Sequence, residues 1–283
     1  MRTPKLTFFD TLLQSYPPPV LFGLACILGL SGLMSGLSGF GFSAIGALCL
    51  WLLPPKLGVP LLMSLSTANQ FMSLGQLKKD LRPLKEWWPD GPAPYLLGGF
   101  VGVPIGLSIL HSLPSGALML VFGTFLVGYA AYSMLKPDSL HIARKEPPLA
   151  SAFIGMVGGV IGGFTAFPGA PVVVWSGLRK LPKHESRSIV QPYILGMQVV
   201  SLSLLAIQHP ETFSPKFWML LAFTVPVVLP GTLMGVNLYR GISDINFRKV
   251  TFMLLGASGL GLLAKAAGSF PLLAMIGKAA GVH

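Results

Sequence analysis

The residues best equipped for chemistry in this chain are neutral. Ser35, Ser38 and Ser43 gather around Gly36, Gly39 and Gly41, and Thr165 stands among Gly162, Gly163 and Gly169. Each group precedes a second polar set, Ser64, Ser66, Thr67, Asn69 and Gln70 in one case and Gln191, Tyr193 and Gln198 in the other. Hydroxyls and amides donate hydrogen bonds to oxyanion oxygens, and glycine lets backbone N–H groups approach a ligand closely. Asn69 and Gln198 are the most suggestive, because a buried amide needs partners. This chemistry suits recognition of a small anion rather than the making of bonds. Close helix packing through glycine and interhelical hydrogen bonding through Ser, Thr, Asn and Gln explain the same residues structurally, so both readings stay open. Arg179, His184 and Arg187 follow the second group. They could draw in an anion, and His184 could titrate near neutrality and serve proton coupling. They could equally be an ordinary positive loop.

What is missing narrows the choice. All nine acidic residues, Asp10, Asp80, Glu86, Asp90, Asp138, Glu146, Glu185, Glu211 and Asp244, fall outside the apolar runs. The buried carboxylate that proton and sodium carriers often use is therefore not evident. The two cysteines, Cys26 and Cys49, have no metal-ligand spacing and read as packing thiols. An intramembrane hydrolase or acyltransferase needs a nucleophile and base at depth. His111 is expected in a short interhelical turn, and no other histidine or acid falls in an apolar run. The expectation is no enzyme, no catalytic residue, no cofactor and no metal.

The elements that must position these residues are membrane helices. Of 283 residues, 52% are apolar and 10% charged, with a mean hydropathy of +0.70, whereas soluble domains carry about 25% charge. Apolar runs cover 20–53, 58–76, 92–110, 115–135, 150–177, 189–207, 217–239 and 250–264, the last extending past Lys265 if it continues. Six match the ~20 residues of one crossing. Runs 20–53 and 150–177 are too long for one crossing, and each has glycines at its middle. Each reads as a broken helix or a hairpin of two short helices, with one long kinked helix as the alternative.

Charge distinguishes these. The net charge is +11, yet the basic residues lie in short runs between apolar segments, unlike the basic, aromatic-interleaved faces of nucleic-acid modules. Lys78, Lys79, Arg82 and Lys85, then Lys136, Arg144 and Lys145, then Arg179, Lys180, Lys183 and Arg187, then Arg240, Arg248 and Lys249 make 14 of the 20 Lys and Arg. If every run crosses once, the first two clusters lie opposite the last two; if run 150–177 returns to its starting side, all four share one side, as the positive-inside rule prefers.

The order hairpin, helix, helix, helix then occurs twice. Gly39-Phe40 followed by Trp51 matches Gly163-Phe164 followed by Trp175, and Gly102 and Gly106 match Gly231 and Gly235. An odd number of crossings separates the halves, which inverts the second, an arrangement common in secondary transporters. The expected organisation is an all-α polytopic membrane protein: N-terminal segment 1–19, first repeat 20–135, cytoplasmic linker 136–148, second repeat 149–265 and C-terminal segment 266–283. The site would combine Ser38, Gly39, Asn69, Gly163, Thr165, Gly169, Gln198 and Arg187.

These residues together resemble the sulfite exporter TauE/SafE family of membrane permeases over about residues 20–265. Gly158-Gly159, Gly162-Gly163 and Phe167-Pro168-Gly169-Ala170-Pro171 are similar to its glycine-rich break, and Leu178, Pro182 and Arg187 to the pattern downstream. Gly36-Leu37-Ser38-Gly39-Phe40-Gly41, followed by Ser66-Thr67, resembles the matching first break, although Phe40 and Thr165-Ala166-Phe167 interrupt the usual glycine run. The resemblance implies a multi-pass cell-membrane protein that moves a sulfur oxyanion or organosulfonate, such as sulfite or a sulfoacetate-like compound, by alternating access. A passive anion channel is the alternative. Its partners would be the small anion and the lipid bilayer, with protons and a second copy of the chain as further ones it could engage, and no nucleic acid.

Overall fold

The computed structural model describes residues 8–38, 41–76, 83–135, 147–239 and 244–269. Among them every regular element is helical. The α-helices are α1 (Phe8–Ser15), α2 (Pro18–Ser38), α3 (Phe42–Gly46, continued as a 3-10 turn Ala47–Trp51), α4 (Pro55–Gln76), α5 (Ala93–Ser112), α6 (Ser115–Leu135), α7 (Pro148–Thr165), α8 (Gly169–Leu178), α9 (Lys183–Gln208), α10 (Pro215–Tyr239) and α11 (Asp244–Ser269). Proline opens many of them: Pro18, Pro55, Pro148 and Pro215 are first residues, while Pro92, Pro147 and Pro182 sit at N-caps. Its missing N–H is no loss there and its fixed φ favours the first turn.

Helices α2, α5, α6, α7, α9 and α10 are each long and apolar enough to cross a membrane. The chain is a multi-pass membrane protein. Phe22, Leu97, Val101, Ile105 and Met234 are exposed on these helices, as expected where the neighbour is lipid rather than water. The continuous apolar run 250–264 expands into the longer α11, and Lys265 inside it does not end the helix. Its Nζ donates to the carbonyls of Leu50 and Trp51, both at 2.7 Å, capping the end of the 3-10 turn.

Both long runs are hairpins, which removes the single-kinked-helix alternative. α2 is about 31 Å long at 1.5 Å per residue. The chain then turns back, so that Gly46 faces Leu28 and Ser31 and Gly23 faces Leu52. At the second break Ala166 adopts the left-handed conformation (φ 58°), its N–H bonding the Gly162 carbonyl. Pro168 follows, and its ring prevents continuation of α7.

Glycine faces set the helix pairs. Gly98, Gly102 and Gly106 of α5 meet Ala152, Met156 and Val160 of α7 in the same chain direction, and Gly155, Gly159 and Gly163 of α7 return the contact to Tyr95, Gly99 and Gly106. Likewise Gly29, Gly32 and Gly36 of α2 meet Val227, Val228 and Thr232 of α10, a parallel pair. Gly123 of α6 touches Gly259 and Leu263 of α11, while Gly256 touches Ala130, an antiparallel pair. Small residues spaced four apart let helix backbones approach closely where lipid supplies no hydrophobic drive. α4 packs on both α9 and α10, and α9 on α5.

These directions place the ends. Arg187 near the start of α9 reaches Leu37 near the end of α2, and Arg179 at the end of α8 reaches Tyr95 near the start of α5. At the other end His111 of α5 meets His209 after α9. The helix ends flanking the segments around 77–91, 136–147, 179–182 and 240–243 therefore gather at one end of the bundle, hereafter the basic end.

Candidate functional site

The first polar node grows from α4. Asn69 is fully buried. Its Nδ2 donates to Ser35 Oγ of α2 at 2.7 Å, and its Oδ1 accepts from Thr232 Oγ1 of α10 at 2.6 Å. One amide thus joins three helices from both halves of the chain. Thr232 also donates to the Val228 carbonyl at 3.0 Å, so its hydroxyl is shared between side chain and helix backbone.

The second node grows from α9. Gln198 Nε2 donates to the Ala166 carbonyl at 2.8 Å, holding the left-handed residue at the α7–α8 break. Thr165 is buried there. Its hydroxyl donates to the Ile161 carbonyl at 2.6 Å and accepts from the Phe167 N–H at 3.1 Å, closing the end of α7. Asn69 and Gln198 each tie a long helix to a hairpin. Counting along α4 and α9 from their opposite ends, Asn69 lies ~21 Å and Gln198 ~22 Å in, so both are near mid-depth.

The other expected residues fall as follows. Gly163 faces α5, where an added Cβ would lie 2.7 Å from Gly106 Cα. At Gly169 it would meet Ile194 of α9 at 2.6 Å. Both glycines serve backbone-to-helix contact in this structure. Ser38 is the last residue of α2, and Gly39 lies outside the described residues. Arg187 Nη2 donates to the Leu37 carbonyl at 3.1 Å, a cation at the negative end of the α2 dipole. His184 is exposed near the start of α9. Arg179 is buried, with Nη1 donating to Tyr95 Oη at 3.2 Å. Tyr95 packs edge-on against Tyr193, whose hydroxyl donates to the Gly155 carbonyl at 2.6 Å.

Five buried donors among the described residues have no protein partner, Ser43 Oγ, Tyr132 Oη, Trp175 Nε1, Ser176 Oγ and Gln191 Nε2. Three of them, the hydroxyls of Ser43 and Ser176 and the amide of Gln191, lie around the two breaks on residues that are themselves buried. Leaving a buried polar group unpaired costs about 1–3 kcal/mol, so such groups suit a ligand or water. Gln191 was legible: it lies four residues after Arg187 and seven before Gln198, on one helical face. Ser176 had no signal, since one serine in an apolar helix is common. No acidic side chain among the described residues is buried.

At the end opposite the basic one, His111 occupies the last turn of α5 rather than a loop. Its ring stacks on His209 with centroids 3.6 Å apart and planes 4° apart. His209 Nδ1 lies 3.0 Å from Glu211 Oε1. The backbone N–H of Glu211 and the His209 ring hold that exposed carboxyl below its usual range.

No curated protein and no solved structure matches the chain. The family model described as "Sulfite exporter TauE/SafE" matches residues 24–262, from the first turns of α2 nearly to the end of α11. That span contains both hairpins, both amide nodes and the unanswered donors, and the chain belongs to the sulfite exporter TauE/SafE family.

Proposed function

We propose that this permease is a secondary carrier of a small sulfur oxyanion or organosulfonate, sulfite or a sulfoacetate-like compound, working by alternating access between two inverted halves. The observation that carries the reading is the exchange of partners between halves. The first helix of each half packs parallel on the fourth helix of the other, α2 on α10 and α7 on α5, while α4 meets α9 and α6 meets α11. Such interlocking supports inverted repeats, which in carriers rock about a central site. The basic end is then cytoplasmic, with 136–148 as the cytoplasmic linker.

The buried donor set supports the ligand class. Ser43, Ser176 and Gln191 offer neutral O–H and N–H groups, and a sulfonate or sulfite presents only acceptors. Asn69, Gln198 and Thr165 hold the walls rather than the anion. Ser38, Gly39, Gly163, Gly169 and Arg187 flank the breaks, with Arg187 at the basic end drawing the anion in. His184 remains a proton-coupling candidate at that end.

Calorimetry of purified protein with sulfite and sulfoacetate tests this. Gln191→Leu should weaken the better ligand at least about tenfold with little change in thermal stability. Equal affinity in the native protein and the Gln191→Leu variant removes α9 from the site. Substrate counter-flow in proteoliposomes separates a carrier from a channel, since a channel conducts without exchange.

A further inference from the structure

We infer that α1 is an interfacial helix, lying in the boundary between hydrocarbon and lipid headgroups at the end of the bundle opposite the basic end. The inference does not depend on what the permease carries.

The eight residues of α1 divide by chemistry into two faces. At about 100° per residue, Phe8, Leu12, Phe9 and Leu13 share one arc of about 140°, and Asp10, Gln14, Thr11 and Ser15 fill the opposite one. Part of the apolar arc is covered by protein. Leu12 is 1% exposed and belongs to the core, and α1 packs on α10. The rest is not. Phe9 is 65% and Leu13 49% exposed, and Phe8 is exposed beside Phe9 with ring centroids 5.6 Å apart. Apolar residues scattered singly over a surface need no explanation, but a contiguous apolar face does. A lone helix of this length is also marginal in water, where fewer than about 12–15 residues rarely sustain the fold of a helix. Its order here calls for a covered apolar face.

The neighbours of α1 set its level. α2 ends at the basic end, where Arg187 bonds the Leu37 carbonyl, so α2 starts at the other. α1 precedes that start. Pro17, Pro18 and Pro19 have no N–H to offer the last carbonyls of α1, so α1 and α2 are separate helices and α1 takes a direction of its own. α10 runs parallel to α2 and starts at the same end. There Trp218, in the first turn of α10, is exposed beside Phe213 and Phe217, and Trp51 is exposed where the 3-10 turn closes. Tryptophan concentrates where hydrocarbon meets headgroups, so these rings mark the boundary at this end, and α1 rests against α10 beside it.

The chemistry of the two faces selects lipid as the occupant. The exposed apolar arc continues the lipid-facing surface that Phe22 presents at the start of α2. Hydrocarbon takes Phe8, Phe9 and Leu13, while Asp10 and Gln14, exposed on the other arc, stay among headgroups and water. α1 contains no Lys or Arg, so apolar burial holds it there rather than attraction to anionic headgroups.

Nitroxide labels on the full chain in nanodiscs test this, in a Cys26→Ala/Cys49→Ala background. Labels at Phe9→Cys and Leu13→Cys should be reached by oxygen and shielded from a water-soluble nickel chelate, at a depth of about 5–10 Å into the boundary. A label at Gln14→Cys should show the reverse. Equal nickel access at all three positions places the face in water. Shielding of 9 and 13 from both reagents places it against protein, a second copy of the chain included. Either result overturns the inference. Hydrogen exchange without labels is the second measurement. Amides of 8–15 should be protected in nanodiscs, and in Phe9→Ser/Leu13→Ser they should exchange at least about tenfold faster, with α2 and α10 unchanged. Unchanged protection of 8–15 in that variant overturns the inference as well. Neither measurement involves substrate, so failure of the sulfonate reading leaves the inference standing, and its own failure leaves that reading standing.

Discussion

Gly163→Ala distinguishes a glycine that packs helices from one that exposes backbone to a ligand. A Cβ at position 163 would lie 2.7 Å from Gly106 Cα and 2.8 Å from Gly106 C and Leu107 N, all backbone atoms, where ordinary contact begins at 3.4 Å. No side chain can rotate away, so α5 and α7 must separate locally by about 0.7 Å. A gap of that size forfeits a quarter to a half of each dispersion well along the contact. Overpacking of this kind costs about 1–3 kcal/mol. Gly128→Ala in α6 is the control, because its Cβ meets nothing within 4 Å and the substitution gains up to about 1 kcal/mol of helix propensity. Equilibrium unfolding in mixed micelles should find Gly163→Ala destabilised by about 1–3 kcal/mol relative to Gly128→Ala, with sulfonate affinity of the folded fraction retained. Equal stability of the two variants, or loss of affinity without loss of stability, would refute the packing argument and return Gly163 to the ligand.

Asn69→Ala and Thr232→Ala should be coupled in a double-mutant cycle by about 0.6–1.7 kcal/mol, the range for interhelical hydrogen bonds in membranes; Thr232→Ala with Gln198→Ala, which share no bond, should add independently. Single cysteines at 82, 145, 183 and 248 should show one common accessibility from the cytoplasmic side; a split between the first two and the last two would exclude the inverted arrangement.

How much of this was legible without coordinates differs from residue to residue. The apolar runs and their lengths announced the long helices, because the bilayer imposes its own dimension on the chain. The two over-long runs with central glycines read as broken helices or hairpins, and the basic clusters favoured the parity that puts all four on one side. Family membership followed from the same glycine-rich breaks. The N-terminal α1 was not singled out: its eight residues are too few for a span.

Asn69 and Gln198 were identified as polar residues needing partners, but composition cannot say whether the partner is a ligand or another helix. Only the fold brought Ser35 and Thr232 to Asn69 across 34 and 163 residues of chain and the Ala166 carbonyl to Gln198. The same holds for glycine, whose missing side chain suits a ligand or a neighbouring backbone equally until the neighbour is known. His111 and His209 lie 98 positions apart in sequence, and no local pattern links them. The one-dimensional chain thus announced the apolar helices, since hydropathy acts locally and additively; which of them are long and apolar enough to cross came with the helix bounds, which put α2 and α7 of the two over-long runs among the spans and leave α4, expected as a single crossing over 58–76, outside them. Which polar groups answer one another, and which are left for a ligand or a proton, was decided by tertiary packing, because hydrogen bonds and ring stacks depend on contacts of a few ångströms between residues distant in sequence.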